Sequence, residues 1–136
     1  MLRRSRGRVP RAPDDYQRRK WGETLFRLNR LDEADAMLGT VLDKSGHIWL
    51  AHSRSQVKLA KGDLSLALAL VDEAIAGAVG AERKYRSSFL LQRAKVRLAM
   101  GDDPTADIAE GRRETSNAGL HEGFDDVELR HANRDP

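Results

Sequence analysis

From Asp14 onward, hydrophobic residues recur along the chain with the spacing of amphipathic α-helices. In the first segment Trp21, Leu25 and Leu28 stand at positions i, i+4 and i+7, which places them on one helical face. No segment alternates apolar and polar residues between turn signals, so the pattern predicts essentially no β-sheet. It predicts six helices paired in three hairpins: residues 14–28 with 31–43, residues 48–61 with the stretch from the Asp63 cap to Gly77 and Gly80, and residues 82–100 with the stretch from Pro104 to before Gly119.

A ten-residue phrase recurs at the turn of each predicted hairpin. The three copies are NRLDEADAML at 29–38, GDLSLALALV at 62–71 and GDDPTADIAE at 101–110. The sixth residue of each copy is an alanine, so Ala34, Ala67 and Ala106 are separated by 33 and 39 residues. Small residues at such sites let two helix backbones approach closely, and one hairpin cannot bury its apolar face alone. The repetition therefore predicts hairpins that stack on one another.

The repeated unit resembles the tetratricopeptide repeat, a helix–turn–helix unit of about 34 residues. The first unit matches best, with Gly22 at the family's small position in the first helix and Ala34 at the alanine of the second. The later units depart from the pattern: Ser55 stands where glycine is usual, Glu110 where a large apolar residue is usual, and the closing proline is missing from all three. The resemblance covers residues 14–117. A right-handed helical bundle, which also places small residues at close helix crossings, is the alternative.

The resemblance implies an all-α fold, in which about three repeats stack into a short right-handed α-solenoid. Residues 1–13 carry no hydrophobic periodicity and are expected to form a flexible basic arm. Residues 118–136 are weakly amphipathic through Phe124, Val127 and Leu129, which predicts a helix that caps the stack, followed by a C-terminal tail.

Composition excludes several classes of protein. The chain has no cysteine, which removes disulfide frameworks, zinc ribbons, thiol catalysis and iron–sulfur clusters. Its longest apolar stretch, around residues 64–71, is much shorter than the roughly 20 residues that cross a bilayer, and no apolar core follows the N-terminal arginines. We therefore expect a cytoplasmic protein without a membrane partner.

Motifs for catalysis or metal binding are also missing from the sequence. His121-Glu122 begins like the zinc-protease motif, but Asp125 stands where the second histidine belongs. His47 and His52 are five residues apart, about 140° around a helix, so they would not share a metal ion. The sequence predicts a protein that is not an enzyme and that needs neither a metal nor a cofactor.

Charge is segregated along the chain. Residues 1–20 hold eight bases and two acids, a net charge of +6, so the rest of the chain holds 3 − 6 = −3. The first helices of the hairpins carry thirteen bases and four acids, whereas the second helices and their leading turns carry twelve acids and four bases. The thirteen bases are Arg18, Arg19, Lys20, Arg27, Arg54, Lys58, Lys61, Arg83, Lys84, Arg86, Arg93, Lys95 and Arg97.

In the tetratricopeptide family the first helices line a concave groove that holds a segment of a partner protein. By repeat position, the groove residues implied here are Tyr16, Arg19, Glu23, Phe26, Trp49, His52, Gln56, Leu91, Gln92 and Lys95. The resemblance thus implies an adaptor or scaffold that binds an acidic protein or peptide through a basic groove. Two alternatives limit this expectation: the bases could pair with acids of the second helices or lie on solvated faces, and Trp49 could belong to the core.

Two other modes of association are also open. Arg3, Arg4, Arg6, Arg8 and Arg11 give the arm five positive charges and no negative one, which suits contact with nucleic-acid phosphates. The ends of so short a stack could also pair with another copy of the chain or with a neighbouring domain.

Overall fold

Helices make up nearly all of the chain that the computed structural model describes, which is residues 14–41 and 47–134. These residues form seven α-helices and one 3-10 helix, with no strand among them. The elements are α1 (Asp15–Arg27), α2 (Leu31–Leu38), α3 (His47–Lys61), α4 (Leu64–Gly77), the 3-10 helix (Gly80–Tyr85), α5 (Arg86–Met100), α6 (Thr105–Arg113) and α7 (Ala118–Ala132). The prediction of an all-α protein is confirmed.

The repeated phrase marks the same turn in three places. Asn29, Gly62 and Gly101, the first residue of each copy, all adopt a left-handed backbone, with φ of 61°, 84° and 86°. In each turn the next N–H donates to the carbonyl oxygen five residues earlier, at 2.9, 2.9 and 2.8 Å. This hydrogen bond and the left-handed residue define the Schellman motif, which ends a helix and satisfies its last carbonyl groups. The chain therefore ends α1, α3 and α5 in the same way.

The third copy of the phrase differs in its second half. Ala34 and Ala67 lie four residues after the N-caps of α2 and α4 and are fully buried. The cap of α6 is Pro104, two residues later in the phrase, so the fourth residue after it is Ile108, which is buried, while Ala106 is exposed. The prediction that Ala106 occupies a close helix crossing was wrong because the longer turn shifts the register of α6.

Several helix boundaries also differ from the sequence prediction. α2 ends at Leu38, and the predicted remainder at 42–43 lies outside the described residues. The predicted helix 82–100 is divided, because its first residues belong to the 3-10 helix, which has no buried side chain to favour α-helical geometry. α6 ends at Arg113, since Asn117 instead accepts the Leu120 N–H and caps α7. Asp63 is the N-cap of α4 as predicted, but its side chain makes no capping hydrogen bond.

Each helix packs against the next one in the chain, and the odd-numbered helices α1, α3, α5 and α7 also contact each other in series. Gly22 allows the closest approach of α1 to α2, since a Cβ atom there would lie 2.5 Å from Cδ2 of Leu38. α7 packs against both α5 and α6, with Phe124 and Val127 buried and Leu129 exposed. The odd-numbered helices therefore form one row, and the even-numbered helices pack against that row.

Candidate functional site

Three cavities follow one another along the odd-numbered helices. The first, of about 500 Å³, lies between α1 and α3. The second, of about 210 Å³, lies where α3, α5 and α7 meet, and it shares Trp49, His52 and Gln56 with the first. The third, of about 420 Å³, shares Lys95 with the second. All residues that line them belong to odd-numbered helices, and we call this surface the groove.

The groove contains nine of the ten residues that the sequence predicted for partner binding. Arg19, Glu23, Phe26, Trp49, His52 and Gln56 line the first cavity, and Leu91, Gln92 and Lys95 join Trp49, His52 and Gln56 around the second. Tyr16 lies one turn before Arg19 and lines neither cavity; its exposed ring has the Arg19 guanidinium 5.5 Å from its centre. The helical spacing of the prediction therefore selects one continuous face.

Trp49 contributes to both the core and the groove. Its ring packs edge-on against Phe89 and Tyr85, with centroid distances of 5.0 and 5.1 Å, and against His52 at 5.6 Å. Phe89 is fully buried, whereas Trp49 keeps part of its surface exposed. Edge-to-face contacts of this kind fix the orientation of a ring. The partly exposed Trp49 ring therefore lies in the groove with its orientation fixed by Phe89 and Tyr85.

Glu23 brings together the polar groups of the first cavity. Its carboxylate accepts the Ser53 hydroxyl at 2.6 Å and the Arg19 guanidinium at 2.9 Å, and lies 3.2 Å from the Lys20 ammonium. Burial by itself would raise the pKa of Glu23, but the Ser53 hydrogen bond and the charges of Arg19 and Lys20 hold that pKa below its ordinary value. Glu23 is thus charged, and it neutralises much of the positive charge of Arg19 and Lys20.

Gln92 and Leu91 contribute little exposed surface to the groove. Gln92 is buried, and its amide nitrogen donates to the Ser55 hydroxyl, which donates to the carbonyl oxygen of Ala67. This chain of hydrogen bonds joins α5, α3 and α4. Leu91 is buried against Gly123 of α7, where a Cβ atom would lie 2.6 Å from its Cδ2. Both side chains therefore act mainly in helix packing.

His52 is held in its neutral form by its surroundings. Burial lowers the pKa of His52 to about 4; the Glu23 carboxylate opposes this shift and the Lys95 ammonium adds to it. The folded protein therefore binds fewer protons at this site than the unfolded chain, whose histidine titrates near 6.5. Lowering the pH from 6.5 to about 4 therefore favours unfolding.

We expect wild-type protein to lose about 2 kcal/mol more stability between pH 6.5 and 4 than a His52→Leu variant. This expected loss of stability is smaller than the full pKa shift of His52 would give, because the imidazole keeps part of its surface in water. Urea unfolding followed by circular dichroism at several pH values measures it. Parallel pH curves for the two proteins would contradict the assignment of His52 as a buried neutral group.

The structure accounts for most of the segregated charge by internal pairing. Of the thirteen bases on the first helices, nine form ion pairs with acids in the described part of the chain. Six of these nine, Lys58, Lys61, Arg83, Arg86, Arg93 and Arg97, pair with acids of α2, α4 and α6 or with Glu114, which caps α6. This is the pairing between the two helix sets that the sequence analysis gave as the alternative to a basic groove.

Two bases of the groove form no ion pair with any described residue. Arg27 lines the first cavity and, among the described residues, donates only to the Thr24 hydroxyl, at 3.1 Å. Lys95 is exposed between the second and third cavities. The positive charge that the groove can offer a ligand is therefore concentrated in two separated side chains.

Sequence reasoning missed several groove residues. Lys20, Arg27 and Ser53 each follow a predicted residue directly, so a wider helical face would have included them. Leu120, Asp126 and Arg130 come from α7, which was assigned only to capping. The order of the helices could have indicated these residues, because α7 follows α6 in the place where the first helix of a fourth hairpin would stand.

Other kinds of site receive no support from the described residues. Within 14–41 and 47–134, no three histidine, aspartate or glutamate side chains are grouped closely enough to hold a metal ion. No described helix is long and apolar enough to cross a membrane. Arg3, Arg4, Arg6, Arg8 and Arg11 lie outside the described residues, so nucleic-acid contact through the arm stays a prediction.

Comparisons with known proteins leave the geometry as the basis for a functional proposal. No protein-family model matches the chain, no curated protein matches its sequence, and no solved structure matches its fold.

Proposed function

We propose that this chain is a protein-interaction module rather than an enzyme, and that its groove binds an extended acidic segment of a partner protein. The observation that carries the proposal is the continuous row of three cavities along α1, α3, α5 and α7. A module of this kind would serve as an adaptor or scaffold.

The architecture that fits this proposal is a short tetratricopeptide-like solenoid of three hairpins, with α7 as the cap. Its support is local and repeated: the same Schellman turn ends α1, α3 and α5, and buried Ala34 and Ala67 occupy the same place in the first two hairpins. Contacts between odd-numbered helices in series add to it, since each unit of a solenoid packs on the next.

The groove chemistry suits an extended chain with apolar and acidic side chains. Phe26, Trp49 and Leu120 offer apolar surface, and Gln56 and Ser88 offer polar groups that can bond a peptide backbone. Apolar anchors beside polar groups are typical of sites that bind one chain segment. An extended peptide spans about 3.3 Å per residue, so a few residues reach from one cavity to the next.

Acidic preference follows from the two bases without ion pairs. A carboxylate beside Arg27 or Lys95 would gain a charge-assisted hydrogen bond without first breaking an internal ion pair. Arg19 and Lys20 are less available, because Glu23 already binds them. We therefore expect the partner segment to carry acids at two separated positions rather than one continuous acidic run.

Selection from a library of random peptides displayed on phage tests the proposal. The full chain is expected to enrich peptides that combine aspartate or glutamate with aliphatic or aromatic residues. An Arg27→Glu/Lys95→Glu variant should bind the selected peptides about 10- to 100-fold more weakly, the loss expected for two charge-assisted contacts. The matched control is Lys84→Glu/Arg113→Glu, which changes the net charge by the same amount at two exposed bases outside the cavities.

The variants distinguish recognition by the groove from attraction by overall charge and from recognition by the N-terminal arm. Equal weakening in both variants would show that overall charge, and not the groove, drives binding. A third full-chain variant, with Arg3, Arg4, Arg6, Arg8 and Arg11 all changed to glutamine, should keep peptide affinity within about twofold, because the proposed acidic contacts are made by Arg27 and Lys95 of the groove. Loss of peptide binding in that variant alone would place recognition in the arm.

A further inference from the structure

His52 lies on the wall that the first two cavities of the groove share. It lines the first cavity together with Glu23 and the second together with Lys95. Its ring packs against Trp49 and Phe89, with centroid distances of 5.6 and 5.1 Å. A ligand that runs from one cavity to the next therefore passes the imidazole.

The imidazole of His52 makes no hydrogen bond with a described residue. Its Nδ1 atom is enclosed by protein atoms and has no partner. Nε2 is not enclosed in this way, so it is the ring nitrogen that a ligand in the groove can reach. A neutral imidazole offers one donor and one acceptor, whereas a protonated one donates from both nitrogens. The hydrogen-bonding capacity of Nε2 is therefore available to a ligand.

The charged groups around His52 come from α1 and α5. Lys95 of α5 is the charged residue of the second cavity, and α7 contributes Leu120 there. Among the described residues, α2 and α4 contribute none to either cavity. The first cavity adds four charged groups, all from α1: Arg19, Lys20, Glu23 and Arg27. The described lining of the second cavity thus holds one positive charge and a neutral imidazole, with no acid.

A carboxylate in the second cavity would raise the pKa of His52. Burial lowers that pKa to about 4 and the Lys95 ammonium adds to the shift, whereas the Glu23 carboxylate opposes it. A ligand carboxylate beside the ring would act in the same direction as Glu23, and it would also offset the charge of Lys95. His52, which is neutral in the free protein near pH 7, would therefore bind a proton more readily in the complex than alone.

We propose that an acidic side chain of the bound segment lies between Lys95 and His52, and that His52 takes up a proton from solvent when the segment binds. In the complex the Nε2–H group of His52 donates to one carboxylate oxygen and the Lys95 ammonium donates to the other. This inference rests on the groove as the binding site. It adds that the groove holds its acidic partner more tightly as the pH falls from 7.5 to 5.5.

Calorimetric titration of the full chain with the tightest peptide of the phage selection tests the proton uptake. Titrations at pH 5.5 in two buffers of different ionisation enthalpy give the number of protons taken up per peptide bound. We expect about half a proton or more, and binding about threefold to tenfold tighter at pH 5.5 than at pH 7.5. Protonation of the peptide's own carboxylates would change the affinity in the opposite direction.

Two histidine variants locate the proton. His52→Gln should take up no proton and bind the peptide equally at both pH values. The matched control, His131→Gln, changes a histidine outside the cavities, 3.5 Å from Asp103, and should behave like the wild type. NMR titration of the His52 ring in the wild-type chain gives the same test without a substitution, since added peptide should move its midpoint to higher pH.

The outcomes separate this inference from the proposed function. Peptide binding at both pH values without proton uptake, or with uptake that His52→Gln retains, would overturn the role of His52 and leave the groove as the binding site. A His52 ring whose NMR midpoint is the same with and without peptide would do so as well. Failure of the chain to bind any selected peptide at either pH would overturn both proposals.

Discussion

Replacing Asp107 with alanine is expected to lower the free energy of unfolding by about 3–5 kcal/mol, as for other buried charge pairs that lose one partner. Asp107 lies on α6 and its side chain is 2% exposed. Its carboxylate accepts Nε and Nη2 of Arg93 at 3.1 and 2.9 Å, and Nη1 of Arg97 at 2.9 Å. Without it, two guanidinium groups of α5 would face α6 with no carboxylate between them.

Asp72 provides the matched control. It also binds Arg93, at 3.0 Å, but its side chain is 49% exposed. An exposed ion pair contributes about 0–1 kcal/mol, so Asp72→Ala should cost less than 1 kcal/mol. Urea unfolding at neutral pH, followed by circular dichroism, measures both variants. Similar losses would show that the burial of Asp107 does not determine its contribution.

Replacing Phe124 with alanine is expected to cost about 3–5 kcal/mol, the usual range for a buried phenylalanine. Phe124 is fully buried and joins α7 to α5 and α6. Gly111 of α6 makes room for it, since a Cβ atom there would lie 2.1 Å from Cζ of the ring. Because α7 also places Leu120 in the second cavity, the same change should weaken peptide binding.

A double-mutant cycle gives this prediction its control. Gly111→Ala should cost about 1–3 kcal/mol in the wild type, because the ring must move. In the Phe124→Ala background the added methyl group has space, so the same change should cost little. The two substitutions are therefore expected to be non-additive by at least about 1 kcal/mol, measured from urea unfolding. Additive effects would mean that Phe124 does not fill the space beside Gly111.

Local signals in the sequence predicted that the fold is all-α. The repeated phrase predicted the three turns, and the structure adds that its first residues, Asn29, Gly62 and Gly101, adopt a left-handed backbone. Apolar spacing predicted the burial of Leu25 but was wrong for Trp21 and Leu28 on the same predicted face, which are 52% and 61% exposed. The register of α6 could not be obtained this way, because it depends on where Pro104 begins the helix rather than on the phrase.

The candidate site was predictable in position but not in charge. Transferring repeat positions placed nine of ten residues on one face, since that needs only the helical period. Which bases remain without an ion pair depends on how α5 lies against α4 and α6, as the contacts of Arg93 with Asp72 and Asp107 show. These contacts join helices that are far apart in the sequence, so no single segment of the sequence predicts them.

The position of a bound peptide on the protein tests the central claim most directly. Amide chemical-shift changes should be measured by NMR as a selected peptide is added to the full chain. We predict the largest changes along the groove, at Trp49, Gln56, Ser88 and Lys95. Changes confined to α2, α4 and α6, or to the exposed surface around Trp21, would contradict the assignment of the groove as the binding site.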